Sequence, residues 1–391
     1  MSYRRFLTIS RYIRFDDGRT RPFRLETDKA ASMRDIWNFL NTNLQKNFRP
    51  YSDITVDEQL FPYRGRTKFT QYIPSKPAKY GTKVWWACDA KTHYPLSGNI
   101  YTGKKPNEGR AKNQEENELI RLVSKYSNSG RTIVADNFFS TLNLCKRLIS
   151  LGLSFVGTIR SNKACIPPEM KQNKIRAVLS SEFGFHQDNV AICSYVPKKN
   201  KAVILLSRVH YDKEVEGVKR KPAAIMHYNK TKVGIDAMDQ MLTHYTTKRK
   251  TKRWTLAFFY NIVDVMALGS FIICKENNNY TKSDARRKFL YDLSEMLAHP
   301  QIESRRNNIH VIKHSVCRSA IEDILGKFEK QPNTLTDTKS ETLEKKRNCS
   351  LCHSQDKHRR KTRFFCQECA DAVCQQHSKC YYKCFKCIKE N

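Results

Sequence analysis

Four aspartates stand in surroundings that suit metal-assisted chemistry on phosphodiesters. Asp57 ends a short apolar stretch in ITVDEQL, Asp136 ends the run RTIVADNFF begins with, and Asp236 and Asp239 stand three apart in GIDAMDQML. Two-metal chemistry needs carboxylates converging on paired Mg²⁺ or Mn²⁺ ions about 3.5–4 Å apart. Carboxylate oxygens suit such hard cations, and strand ends hold them more firmly than loops do. Each residue also has a plainer role. Asp136 precedes NFFSTL and Asp236 precedes AMDQML, where an aspartate serves as a helix N-cap. Asp89 also ends a strand-like run, but DAKTH follows and marks it as a turn residue. Asp57 is harder to dismiss, because the acidic Asp57–Glu58 pair sits near Arg64, Arg66 and Lys68 in a basic chain.

The second chemical feature is the spacing Cys349-x2-Cys352-x13-Cys366-x2-Cys369-x4-Cys374-x2-His377-x6-Cys384-x2-Cys387. Four x2 pairs supply enough ligands for two tetrahedral Zn²⁺ sites. So short a segment has almost no apolar core, so metal must supply its folding free energy. Cys380 is left over and competes with Cys384 or His377; His353 and His358 compete more weakly. Arg359, Arg360 and Lys361 lie in the first long loop of this tail, which suits phosphate contact or a nuclear import signal. The other cysteines are scattered singly, and MSYRRFLTISRYIRF is interrupted by arginines, unlike a signal peptide. The clustered thiols are therefore expected to be metal ligands rather than disulfides.

These residues need elements to hold them. Phe6, Ile9, Tyr12 and Ile13, then Ile36, Phe39, Leu40 and Leu44, recur at helical spacing. ITVDEQL, KVWWACD and YPLSGNIY have strand character, residues 115–128 form a charged helix, and RTIVADNFF and SFVGTIR are strands flanking another helix. VAICSY and AVILLS flank a lysine-rich turn, AAIMHYN resumes the strand pattern, and GIDAMDQML begins a helix. The result is a mixed α/β layer architecture. If the first and fourth strands are neighbours, Asp57 and Asp136 lie side by side, and a following helix laid across the sheet brings Asp236 over both. That is the RNase H-like arrangement of a DDE/D nuclease or transposase.

Composition agrees with a polyanionic partner. The 391-residue chain carries a formal net charge of +33, and each cation opposite a phosphate releases a condensed counterion. Residues 258–274 are the longest apolar stretch, but they contain Asn261 and Asp264 and fall short of the roughly 20 residues a membrane span needs. No membrane partner is expected.

The motifs themselves are familiar. ITVDEQLFPYRGRTKFTQYIPSKPAKYGTKVW, ADNFFSTLNL followed by VGTIRSNK, and YNKTKVGIDAMDQM running into KRKTKRW resemble, in order, the catalytic blocks of piggyBac-family transposases. The resemblance implies that Asp57, Asp136 and Asp236 are the catalytic, Mg²⁺- or Mn²⁺-binding triad and that Asp239 is a fourth acid beside the third. It implies metal-dependent cleavage and strand transfer on double-stranded DNA, at transposon terminal repeats and a TTAA target, by a homodimer; KRKTKR at 248–253 suits a nuclear import signal or a DNA-backbone contact, so the nucleus is the expected location. Arg64, Arg66, Lys248, Arg249, Lys250, Lys252, Arg253 and Trp254 are then candidate DNA contacts, although Trp254 equally suits a helix-anchoring core position. For the tail it implies a cross-brace: Cys349, Cys352, Cys374 and His377 on one Zn²⁺, and Cys366, Cys369, Cys384 and Cys387 on the other.

The expected division is a helical dimerisation and DNA-binding part over 1–52, an RNase H-like catalytic core over 53–161 and 224–245, and a β-rich insertion over 162–223 between them. A helical DNA-binding part over 246–325, a polar linker over 326–347 and the Cys-rich zinc finger over 348–391 complete it. Relative to the family pattern the chain opens within its helical domain, at MSYRRFLTISRYIRFDD, and is expected to be shortened at its N-terminus. This favours a second reading, a domesticated, non-catalytic DNA-binding or chromatin protein derived from a transposase.

Overall fold

The computed structural model describes residues 2–103, 113–173, 175–277, 280, 282–326, 342–352, 360–366, 368–379 and 383–384. It separates into two units, residues 1–297 and 298–391. The first unit opens with three helices, α1 (Tyr3–Tyr12), α2 (Arg21–Thr27) and α3 (Ala31–Asn47). Four strands follow: β1 (Asp53–Pro62), β2 (Thr70–Tyr72), β3 (Tyr80–Asp89) and β4 (Pro95–Ile100). Then come α4 (Gln114–Val123), β5 (Thr132–Ala135), α5 (Leu142–Ser150) and β6 (Ser154–Thr158). Strands β7 (Ser181–His186), β8 (Val190–Lys198) and β9 (Lys201–Ser207) lead into α6 (Ala223–Thr231), α7 (Gly234–His244), α8 (Trp254–Glu276) and α9 (Ala285–Arg306).

These nine strands form one sheet, in the order β2-β3-β1-β5-β6-β9-β8-β7, with β4 also paired to β3. Strands β1, β5 and β6 run parallel, while β3 runs antiparallel to β1 over its whole length. The order β4-β3-β1-β5-β6, with that mix of directions, is the RNase H-like arrangement of a mixed α/β fold. The segment 162–223 does not form a separate layer. Its strand β9 adds antiparallel to β6, so β9, β8 and β7 lengthen the same sheet.

Successive strand residues face opposite sides. Thr55, Asp57, Gln59 and Phe61 therefore share one face of β1, and α6, α7 and α8 pack there. The Thr55 hydroxyl donates to the Thr231 carbonyl at 2.7 Å, and Phe61 meets Phe258 of α8 edge-on. Trp37 of α3 lies 5.3 Å from Trp86 and 5.2 Å from Phe258, ring centre to ring centre. Its indole N–H donates to the carbonyl of Gly98 in β4, and the Asn41 side chain takes both the N–H and the carbonyl of the same glycine. Helix α8 is long and apolar enough in composition to cross a bilayer. Its Asn261 and Asp264 are buried instead, with Asp264 accepting from Thr246 and Thr247, so α8 is the core helix of this layer.

Two expectations need correction. AAIMHYN is not a strand but helix α6, with Ala224, Ile225 and Tyr228 buried against Val134 and Val156. A short apolar run does not distinguish a buried strand from a helix, and here Pro222, whose ring presets its backbone angle, sits at the N-cap ahead of two helix-forming alanines. Nor does β1 end at Asp57: it continues through Glu58 and Gln59 to Pro62, because β3 pairs with it all along. Phe258→Ala is expected to cost about 3–5 kcal/mol of stability, measured by urea unfolding, since Phe258 is 1% exposed and touches both Trp37 and Phe61.

Candidate active site and metal centre

The parallel pairing of β1 with β5 matches Val56 to Ala135, so the next register position sets Asp57 beside Asp136. Asp136 does not cap a helix. Its carboxylate accepts from the N–H of Phe138 at 2.8 Å in a tight turn, and Thr141 caps α5. Asp236 lies in the first turn of α7, where the helix dipole favours a carboxylate, and its side chain is 68% exposed. One turn further on, Asp239 accepts from Gln59 Nε2 at 2.7 Å, while Gln59 Oε1 accepts from the Trp86 indole. That buried amide fixes Asp239 over the same face of β1 that carries Asp57. Glu58 points to the opposite face, toward Lys83 at 3.8 Å.

The acids are electrostatically crowded. Burial, then the charges of Glu58 and Asp136, push the Asp57 carboxyl up to about 8, against the pull of the Glu58 N–H and Lys76. Burial also raises Asp136, opposed by its turn N–H groups, and raises Asp239, opposed by the bond from Gln59. Lys76, in the loop between β2 and β3, stands among them. Its ammonium lies 3.6 Å from Asp236 and donates to the Glu58 carbonyl. Burial alone would lower it, yet Asp57, then Asp236, Glu58 and Asp239, hold it above the ordinary lysine value. Asp57, Asp136, Asp236 and Asp239 form an oxygen-rich set suited to a hard divalent ion, which would relieve the crowding. Among the described residues they do not draw together to within 4.8 Å as a group; a cysteine set in the tail does.

A cavity of about 760 Å³ opens beside α1, α2 and the start of α8. Arg66, Lys68, Lys252 and Trp254 line it, and its one acid, Asp16, is paired with Arg21 and Arg24. Trp254 combines both readings: it packs edge-on against Phe69 and faces this basic cavity. Arg64 and Lys250 are exposed. Arg253 is spent elsewhere, its guanidinium donating to the carbonyls of Ser10, Arg11 and Ile13 at the end of α1. Lys248 donates to the Pro62 carbonyl and lies over Phe61, and Arg249 lies over Phe6.

In the second unit, Cys349, Cys352, Cys374 and His377 converge, all ligand atoms lying within 4.8 Å of one another. The three sulfurs stand 3.5, 3.6 and 3.5 Å from His377 Nδ1, and Cys352 Sγ is 4.0 Å from Cys374 Sγ. Tetrahedral Zn²⁺ with Zn–S near 2.3 Å and Zn–N near 2.0–2.1 Å requires an S···N separation of about 3.6 Å. The donor set fits zinc. Burial opposes ionisation of Cys349, but the N–H of Cys374 and the His377 imidazole bring its thiol down to about 6, toward the thiolate a metal requires. Of the second expected set, Cys366 is buried and Cys369 exposed; the Cys384 side chain and Cys387 lie outside the described residues, as do Arg359, Cys380 and residues 327–341. Arg360 and Lys361 are exposed beside the first set.

A family model described as Transposase IS4 matches residues 1–271. The chain belongs to the piggyBac-type transposases. PiggyBac transposable element-derived protein 3 of Homo sapiens is 25% identical over 259 residues, which are 60% of this chain and 43% of that protein. The human Chimeric ERCC6-PGBD3 protein matches at the same identity and share of this chain, over 24% of its own length. The chain thus spans less than half of these curated relatives. A solved structure, the cryo-EM piggyBac transposase synaptic complex with hairpin DNA, is similar at a TM-score of 0.80 and 33% identity, covering 99% of this chain and 80% of that one.

Gln59 and Lys76 are the residues of the candidate site that sequence reasoning missed. Gln59 was reachable, since it is two residues beyond Asp57 on the same strand and must share its face. Lys76 is one of two lysines in its loop, and no periodicity singles it out.

Two measurements follow. A carboxyl whose folded pKa is raised destabilises the fold once pH exceeds its unfolded value near 3.9, and the loss grows until the folded pKa is reached. Without added Mg²⁺ or Mn²⁺, Asp57→Asn is expected to be more stable than wild type, by roughly 3–4 kcal/mol more at pH 8 than at pH 5 in urea unfolding. In the tail, Cys374→Ser is expected to remove the tetrahedral Co²⁺ absorption of the set formed by Cys349, Cys352, Cys374 and His377, and amide-exchange protection from the described residues of 348–379, leaving the described residues of 53–297 protected.

Proposed function

We propose that the protein is a metal-dependent DNA transposase that cuts and joins double-stranded DNA through Asp57, Asp136 and Asp236. The observation that carries this is the adjacent placement of Asp57 and Asp136 on neighbouring parallel strands, under the helix that bears Asp236 and Asp239. Two divalent ions, when bound, supply Lewis acidity to the attacking and leaving oxygens of an in-line displacement. The chain's own residues do the rest. Asp57, Asp136 and Asp236 would hold the ions, and Gln59 keeps Asp239 oriented beside them. Lys76 offsets the negative charge of the acids and stands ready to donate to a phosphate oxygen. Arg66, Lys68 and Lys252 line the neighbouring cavity, where they hold the DNA backbone, and the exposed face of Trp254 is placed to stack on a base.

The similar solved structure is a synaptic complex with hairpin DNA, which supports DNA as the partner here. Within this reading the target is TTAA, the working form is a homodimer, and 53–161 with 224–245 form the catalytic core. The tail binds two Zn²⁺ and contributes DNA contacts through Arg360 and Lys361. KRKTKR directs the protein to the nucleus.

The test is cleavage of terminal-repeat DNA, taken from the genomic flanks of the gene and bounded by TTAA. Wild type with Mg²⁺ or Mn²⁺ is expected to nick and join it, and Asp136→Ala to lower the rate by at least about 10³-fold, the scale of losing a principal charge-stabilising group. Binding without nicking in either protein would instead identify a non-catalytic DNA-binding derivative of a transposase.

A further inference from the structure

A second basic pocket lies at the other end of the parallel strands. It has a volume of about 490 Å³ and is lined by the end of α3, the segment 48–50, the turn after α4 and the residue before β5. Lys46, Arg49, Lys125 and Arg131 line it, and no lining residue is acidic. Arg131 is held in place: Nε and Nη2 donate to the carbonyls of Pro50 and Tyr51, while Nη1 has no partner among the described residues. Lys46 and Arg49 are exposed and make no hydrogen bond or ion pair among the described residues. The Lys125 ammonium donates to the Gln45 carbonyl at 3.3 Å, which sets it beside the same pocket.

We propose that this pocket binds a phosphodiester group of a nucleic-acid backbone, as a contact separate from the carboxylate site. A phosphate matches the lining: it presents several acceptor oxygens to a fixed guanidinium and to three further cations, Lys46, Arg49 and Lys125. It is not the phosphate that reacts. Arg131 precedes Asp136 by five residues along β5, a rise of roughly 16 Å. The inference rests on the proposed function only in taking DNA as the carrier of the phosphate.

The experiment uses the full chain in two arms. In the first, inorganic phosphate is titrated against chloride at matched ionic strength, and the unfolding midpoint is followed for wild type and the double variant Lys46→Gln/Arg49→Gln. Phosphate is expected to raise the wild-type midpoint, and the double variant to lose about tenfold or more in phosphate affinity. Equal phosphate affinity in the double variant overturns the proposal.

In the second arm, binding of a DNA duplex is measured against salt. The double variant is expected to bind more weakly, with the slope of log K on log salt reduced by about 1. Lost phosphate binding with unchanged duplex affinity and slope overturns the nucleic-acid source and leaves a site for free phosphate. Arg66→Gln in the cavity beside Trp254 is run in parallel. If Arg66→Gln leaves duplex binding intact while the double variant weakens it, the proposed cavity contact fails and this pocket stands.

Discussion

The parallel ladder between β1 and β5 is the constraint on which the rest depends. Its register is set by buried residues on both strands, Ile54 against Ile133 and Val56 against Ala135, and a slip of one residue would exchange their faces. With that register fixed, Asp57 and Asp136 are side by side whatever their mutual repulsion. The apolar core thus holds together two acids that would separate in water. Everything around them moderates the resulting cost: the N–H groups at Glu58 and Phe138, the amide of Gln59 and the ammonium of Lys76.

The distribution of charge is as informative as its total. A chain with an excess of 33 positive charges gathers acids at one place, and admits one lysine among them. The basic side chains lie instead in open pockets, on the approach to that place and behind it. This separates attraction from chemistry. Long-range attraction of a polyanion is spread over the surface, while a compact acidic spot is left able to bind hard cations. Lys76 is the point where the two meet.

Much of this was legible in the sequence because the strands are long and patterned. ITVDEQL, KVWWACD and RTIVADNFF name three adjacent strands, and the motif blocks name the family. What could not be read follows from tertiary context. AAIMHYN has no period long enough to separate strand from helix; only the packing of Ile225 and Tyr228 on the sheet decides. Arg253 looks like a DNA contact within a run of basic residues, yet its donors are taken by the carbonyls that end α1. The x2 pairs of the tail announce metal, but which pair meets which depends on how the chain folds back. The meeting of Cys349 and Cys352 with Cys374 and His377 requires that return.

The contacts of α3 with Gly98 have a consequence for solubility. An outer strand such as β4 presents N–H and carbonyl groups that another chain could extend into a longer sheet. At Gly98 both groups are occupied, by Asn41 and Trp37. At the same edge, β2 is three residues long and is followed by Pro74, which has no N–H to offer. At Gly98 the outer strand is therefore closed to an added strand by side chains of a helix that has no part in the chemistry.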